Sequence, residues 1–314
     1  MKTFAFLIVL AAFAAAPAAS AAGGPPQYAQ QGGAGVSTPD GKMHFVAVPA
    51  GDTTLIESIQ SDGSVWNFPS FKGSWGIPMI TYRDPAGLSR DGQTLVVQTL
   101  VAGSPTKFLV LNTRTMRARE QFTLKGNYSF DALSPDASKL YLIQRVDQRN
   151  YSRYIVRAYD LSTHTLLPGR IADRTQKSWV MQGDAMTRTT SLDGRWVYTL
   201  YMNSGGTPFI HALDTVKGVA HCIGIPWGST DQAGLGNVVL TLHGKRLAVH
   251  WLSGRSWLNV DTASWRISPA AGSGFPWRWL GVGLGVLAAA GLLLVLGRRR
   301  RISLEDGTLL ARAA

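Results

Sequence analysis

The chain has 314 residues, 45% hydrophobic and 16% charged, enough apolar material for one substantial core. Its single cysteine, Cys222, excludes an intramolecular disulfide and with it a small stapled fold. The net charge of +12 is partly a property of the two ends. Setting aside seven basic and two acidic residues there leaves 24 basic against 17 acidic, about +7. Such a surface favours anionic neighbours such as acidic lipids, or is simply well solvated.

In chain order, residues 1–21 read as a secretory signal peptide. Lys2 is the charged start, residues 4–13 form the apolar region, and Ala19-Ser20-Ala21 is a small-residue cleavage site. Residues 22–35, rich in Gly, Gln, Pro and Ala, read as a flexible leader.

From residue 36 a turn followed by a short strand recurs five times. The copies are Thr38-Pro39-Asp40-Gly41, Ser89-Arg90-Asp91-Gly92, Ser134-Pro135-Asp136-Ala137, Ser191-Leu192-Asp193-Gly194 and a weaker Leu242-His243-Gly244. Aligned on positions 41, 92, 137, 194 and 244, they lie 45 to 57 residues apart. A second unit, a strand ending in Asp or Asn followed by Thr or Ser, closes after Asn112, Asp160, Asp214 and Asp261, and less clearly between residues 54 and 63. Asp-Gly supplies the positive φ of a tight turn, and Asp or Asn can bond the backbone two residues on. Repeats of this length built from short hairpins predict propeller blades, since one such sheet cannot stand alone. The aspartates Asp40, Asp91, Asp136 and Asp193 are therefore read as turn residues, not as catalytic carboxylates.

Leu88-Ser89-Arg90-Asp91-Gly92 with its following Leu95-Val96-Val97, then Leu213-Asp214-Thr215 and its counterparts, resembles bacterial β-propeller repeats of the YVTN and WD40-like type. The resemblance covers about residues 36–268. It implies an all-β propeller of five blades, or six if the N-terminal segment adds strands, and it does not specify a function. The Tyr-Val-Thr-Asn and Trp-Asp signatures themselves are absent.

Residues 269–276 are a short linker. Residues 277–297 read as one transmembrane helix. Within them 279–297 carry no charge over 19 residues, about 28 Å as a helix and close to the bilayer's hydrocarbon thickness. Trp277 and Trp279 suit the aromatic belt at one end, and Arg298, Arg299, Arg300 and Arg301 head the basic tail of residues 298–314 at the other. This asymmetry predicts a cell-membrane protein with its C-terminus in the cytoplasm and its propeller outside. Gly281 and Gly285 form a G-x-x-x-G pair that could support a weak homodimer.

No zinc, nucleotide-phosphate or hydrolase motif is found, and no catalytic, metal or cofactor residue is assigned. Cys222 beside His221 invites a nucleophile reading, but a packed strand cysteine is the commoner case. The histidines at 44, 164, 211, 221, 243 and 250 are scattered. Trp66, Trp75, Trp179, Trp196, Trp227 and Trp251 could line a binding face or pack between blades. Asn127-Tyr128-Ser129 and Asn150-Tyr151-Ser152 match the glycosylation pattern. The expected partners are the bilayer and a protein or cell-surface ligand, with no nucleic acid. The reading is a membrane-anchored extracytoplasmic binding scaffold. The alternatives are a propeller enzyme such as a glycan lyase or hydrolase, told by carboxylates or histidines converging on the axis, and a sensor partner of a membrane complex.

Overall fold

The computed structural model describes residues 28–270 apart from 82, 101–102, 174, 176–179, 204–205 and 230. The expected signal peptide, transmembrane helix, Gly281 and Gly285 pair, arginine cluster and Trp179 lie outside the described residues. Among those described, no helix is long and apolar enough to cross a membrane.

Five small antiparallel sheets follow one another along the chain. The first is built on the hairpin Met43–Ala50 and Thr53–Gln60, flanked by Val36–Ser37, Val65–Asn67 and Ser70–Lys72. The second runs through Trp75–Thr81, Thr94–Thr99, Thr106–Asn112 and Arg117–Leu124. The third has Asn127–Leu133, Lys139–Arg145 and Arg153–Asp160 at its centre, and the fourth is Asp184–Thr190, Trp196–Met202, Phe209–Asp214 and Val219–Gly224. The fifth is Val238–His243, Arg246–Trp251, Ser256–Asp261 and Ile267–Pro269.

Successive sheets pack face to face, and strand alternation decides which side chain faces which neighbour. In the second sheet Leu95, Val97, Leu109 and Leu111 meet Phe45, Ala47 and Ile56 of the first. The residues between them, Val96, Phe108 and Val110, meet Tyr128, Phe130, Leu140 and Leu142 of the third. Tyr141, Ile143, Tyr154 and Val156 then meet Val197, Tyr201 and Leu213 of the fourth, whose other face packs Tyr198, Leu200 and Ile210 on Leu240, Val249 and Leu258 of the fifth. Strands buried on both faces must be apolar at every position, which is why Leu95-Val96-Val97 and Leu140-Tyr141-Leu142-Ile143 do not alternate. Five sheets thus follow one another, among the described residues, in a β-propeller arrangement. Among the described residues no buried apolar cluster joins the fifth sheet to the first.

Part of the expected leader is ordered. Tyr28 and Ala29 are buried, and Ala29–Gln30 pairs with Ile77 and Pro78, adding a strand to the inner edge of the second sheet. Gln31 fixes the segment by donating to the Trp75 carbonyl at 3.0 Å and to Thr54 Oγ1 at 3.1 Å. The last strand, Ile267–Pro269, runs one residue into the expected linker.

Candidate functional site

The repeat residues form the framework of one end of the propeller. In four turns the Asp Oδ1 accepts from the hydroxyl two residues before it, at 2.7 Å for Thr38–Asp40 and 2.6 Å for Ser89–Asp91 and Ser134–Asp136, and 2.5 Å for Ser191–Asp193. The same oxygen accepts the backbone N–H two residues on, in Lys42, Gln93, Ser138 and Arg195. The Thr38 hydroxyl donates the bond that holds the Asp40 carboxyl at about 2, and Ser134 and Ser191 likewise lower Asp136 and Asp193. Gly41, Gly92 and Gly194 supply positive φ, and Ala137 adopts it too, at 51°. The fifth copy lacks both Ser/Thr and Asp, so Gly244 and Lys245 simply close a two-residue hairpin between His243 and Arg246. The second unit ties back to the first: the Thr113 and Thr215 hydroxyls donate to the Gly92 and Gly194 carbonyls. Arg90 Nε donates to the Leu192 carbonyl at 2.9 Å, linking the turns of the second and fourth sheets. Beside them an opening of about 270 Å³ reaches inward to Asp131 and Arg188.

These two residues form an ion pair between the inner strands of the third and fourth sheets. Arg188 donates to both the carboxylate and the backbone carbonyl of Asp131, and its Nε reaches Thr199 Oγ1 at 2.9 Å. The Asp131 side chain is 1% exposed, and its Oδ2 has no hydrogen-bond partner.

Beyond Phe130, which lines both openings, lies a cavity of about 400 Å³. The N-terminal strand brings Tyr28 to it, the inner strand of the second sheet brings Met79, and the third sheet brings Phe130 and Ile143. Gln98, fully buried, holds two of these walls together by donating to the Tyr28 carbonyl at 3.5 Å and accepting the Phe130 N–H at 2.7 Å. Polar groups come from Arg145 on the third sheet and from Asp184 and Tyr201 on the fourth. The Arg145 guanidinium carbon sits 5.1 Å from the Tyr28 ring centre and 5.4 Å from that of Tyr154. Arg145 Nε and the hydroxyls of Tyr28, Tyr154 and Tyr201 are buried and close no hydrogen bond of normal geometry, although Tyr28 lies beside Arg145 and Tyr154 beside Tyr201. Burial pushes the Tyr201 phenol up to about 12 and raises those of Tyr28 and Tyr154, so all three stay protonated. Asp184 stands at the mouth, open to solvent on one side. The protein around it nevertheless raises its carboxyl above the usual range, an effect the nearby Arg145 partly offsets.

No protein-family model matches the chain, and no curated protein matches it. Among solved structures it is similar to TolB from Acinetobacter baumannii, at 16% identity over 77% of this chain and 53% of that one, with a TM-score of 0.41. It is similar to Kuenenia stuttgartiensis hydrazine synthase, at 16% identity over 72% and 63% with a TM-score of 0.46. A third is the Cps50 (Swd1) beta-propeller domain of Myceliophteria thermophila, at 10% identity over 72% and 67% with a TM-score of 0.44. The chain thus spans between half and two thirds of the length of the first two.

The axial residues carry no repeat signature, and sequence reasoning passes over them. One signal was available: Asp131 interrupts the run Tyr128-Ser129-Phe130-Asp131-Ala132-Leu133, and a carboxylate in a buried strand needs a partner. The pair Cys222 and His221, in contrast, does not make a nucleophile. Cys222 Sγ lies 3.7 Å from Nδ1 of a different histidine, His211. Burial pushes the thiol up to about 12 and the His211 imidazole down to about 4, so both are neutral at pH 7, the opposite of a thiolate–imidazolium pair. Burial would also raise Asp173, but the Cys222 N–H at 2.7 Å, the Thr175 hydroxyl at 2.6 Å and His221 Nδ1 at 3.1 Å together hold it at about 2. Among the described residues no group of three metal-ligating side chains gathers. Trp75 packs between the first two sheets, while Trp196, Trp227 and Trp251 pack on the joint of the last two and Trp66 stays half exposed.

Proposed function

We propose that this chain is an extracytoplasmic binding module, a propeller held at the cell membrane by its C-terminal segment and presenting its axis to a ligand or partner. The axial cavity carries this reading. Four sheet-to-sheet joints are closed by apolar side chains, yet beside the axis a cavity remains whose walls hold polar atoms without partners. Burying such groups unpaired costs roughly 1–3 kcal/mol each, and a fold that keeps several of them together gains by binding something that pairs them. Export and anchoring are supported by the sequence alone, through residues 1–21, the uncharged run of 279–297 and the four arginines that follow it.

Membrane fractionation of the tagged full-length protein, followed by detergent extraction and mass spectrometry of what co-purifies, tests the proposal. The protein is expected in the membrane fraction, to become soluble on removal of residues 271–314, and to bring down a specific envelope protein or a bound small molecule. A full-length chain found in the soluble cytoplasmic fraction would overturn the placement. A purified ectodomain with robust hydrolase or lyase turnover would overturn the binding role.

A further inference from the structure

We infer that the axial cavity binds a small organic carboxylate that also carries a donating group, a molecule of amino-acid size. The inference deepens the binding reading above and depends on it.

Four observations set the chemistry. First, the cavity holds one cation, Arg145, that closes no ion pair: among the described residues no carboxylate lies within ion-pair distance of it, although Asp184 on the same lining feels its charge. Its guanidinium is held instead over the Tyr28 and Tyr154 rings, with Nε buried and unpaired. Second, two cavity-lining hydroxyls, those of Tyr28 and Tyr201, are buried and close no hydrogen bond of normal geometry, the first lying beside Arg145 and the second beside Tyr154. A guanidinium with neutral O–H groups beside it matches the several lone pairs of one carboxylate. Third, Met79, Ile80, Phe130 and Ile143 make the remaining wall apolar, which suits an organic body and not a bare inorganic anion. Fourth, Asp184 stands at the mouth as a single opposite charge, and it too has no ion-pair partner among the described residues. It would repel a second negative group and attract an ammonium or hydroxyl. A volume of about 400 Å³ lies at the small end of ligand pockets, room for a compact molecule and not for a polymer.

The test uses the full-length protein in detergent, titrated calorimetrically with L-leucine and L-phenylalanine. The comparison probes are their carboxyl-blocked amides, the deaminated acids isocaproate and hydrocinnamate, and inorganic phosphate. At least one amino acid should bind saturably, and its amide should bind at least about tenfold more weakly, the loss of a charge-assisted pair. Arg145→Gln should lose about tenfold or more, and Tyr28→Phe, which removes one hydroxyl, a few-fold. Asp184→Asn should bring the amino acid down to the affinity of its deaminated acid. Failure of both amino acids to bind, equal binding of acid and amide, tighter binding of phosphate, or affinity unchanged in both Arg145→Gln and Tyr28→Phe would overturn the inference. Should Arg145→Gln not fold, Tyr28→Phe decides alone. Co-purification repeated with the same variants keeps the two proposals apart, because a partner recovered equally by all of them leaves the scaffold role standing whatever the cavity does.

Discussion

Gly41 and Gly92 occupy the same place in two turns, with φ of 69° and 70°, yet their surroundings differ. A Cβ on Gly41 would meet nothing within 4 Å, whereas on Gly92 it would stand 2.9 Å from Thr38 Cγ2. Gly41→Ala should therefore cost about 1 kcal/mol for the left-handed backbone alone, and Gly92→Ala distinctly more, as read by chemical unfolding. These turns were legible in the sequence because the bonds of their Ser/Thr and Asp side chains run within five residues. The chemistry of Ser-x-Asp-Gly is local, and so is its absence at Gly244. The state of His211 was not legible, since it depends on the fourth sheet being covered by the third. Burial takes its imidazole down to about 4. With its folded pKa below the unfolded value near 6.5, its contribution to stability is full above pH 6.5. It is lost as the pH falls toward 4, amounting to about 3 kcal/mol. Unfolding curves across that window should show the loss in the wild type and a shallower slope in His211→Gln, where nothing titrates. Equal slopes would mean that His211 is not held neutral.

Between neighbouring strands, the Asp131–Arg188 pair is, among the described residues, the one ion pair across the inner edges of the third and fourth sheets. Asp131 is almost wholly buried, so removing its partner strands a charge. Arg188→Met should destabilise by about 3 kcal/mol or more, and Asp131→Asn combined with it should recover a good part of that loss. If the double variant is no better than the single, the pair is not acting as a coupled unit. Nothing in the primary structure marks these two as partners, 57 residues apart. The strands themselves were readable from their apolar runs and turn residues, but the lateral meeting of strands from different repeats is set by the ring. For the same reason Tyr28, Arg145 and the Asp184–Tyr201 hairpin belong to separate stretches that only the packing of successive sheets brings together.

Across the assembly, the second, third and fourth sheets each lend both faces to buried clusters, whereas the first and fifth lend one. Protection should follow. Amide hydrogen exchange is expected to be slowest in Leu95–Val97, Leu109–Leu111 and Leu140–Leu142, and faster in the Met43–Ala50 and Arg246–Trp251 strands. Uniform protection over all five sheets would point to a closure between the last and first that the clusters do not provide.

The pairing of Ala29–Gln30 with the second sheet has a consequence in time. A chain made from its N-terminus presents Tyr28 long before Trp75–Thr81 exists to receive it, and the first sheet is complete in the interval. The segment that finishes the cavity therefore waits, unpaired, through the synthesis of an entire neighbouring blade. It can settle only as a long-range closure over structure already made. Binding competence should appear as a late event in refolding, after most of the strand signal has returned, since the wall that carries Tyr28 is among the earliest parts of the chain and among the last to find its place.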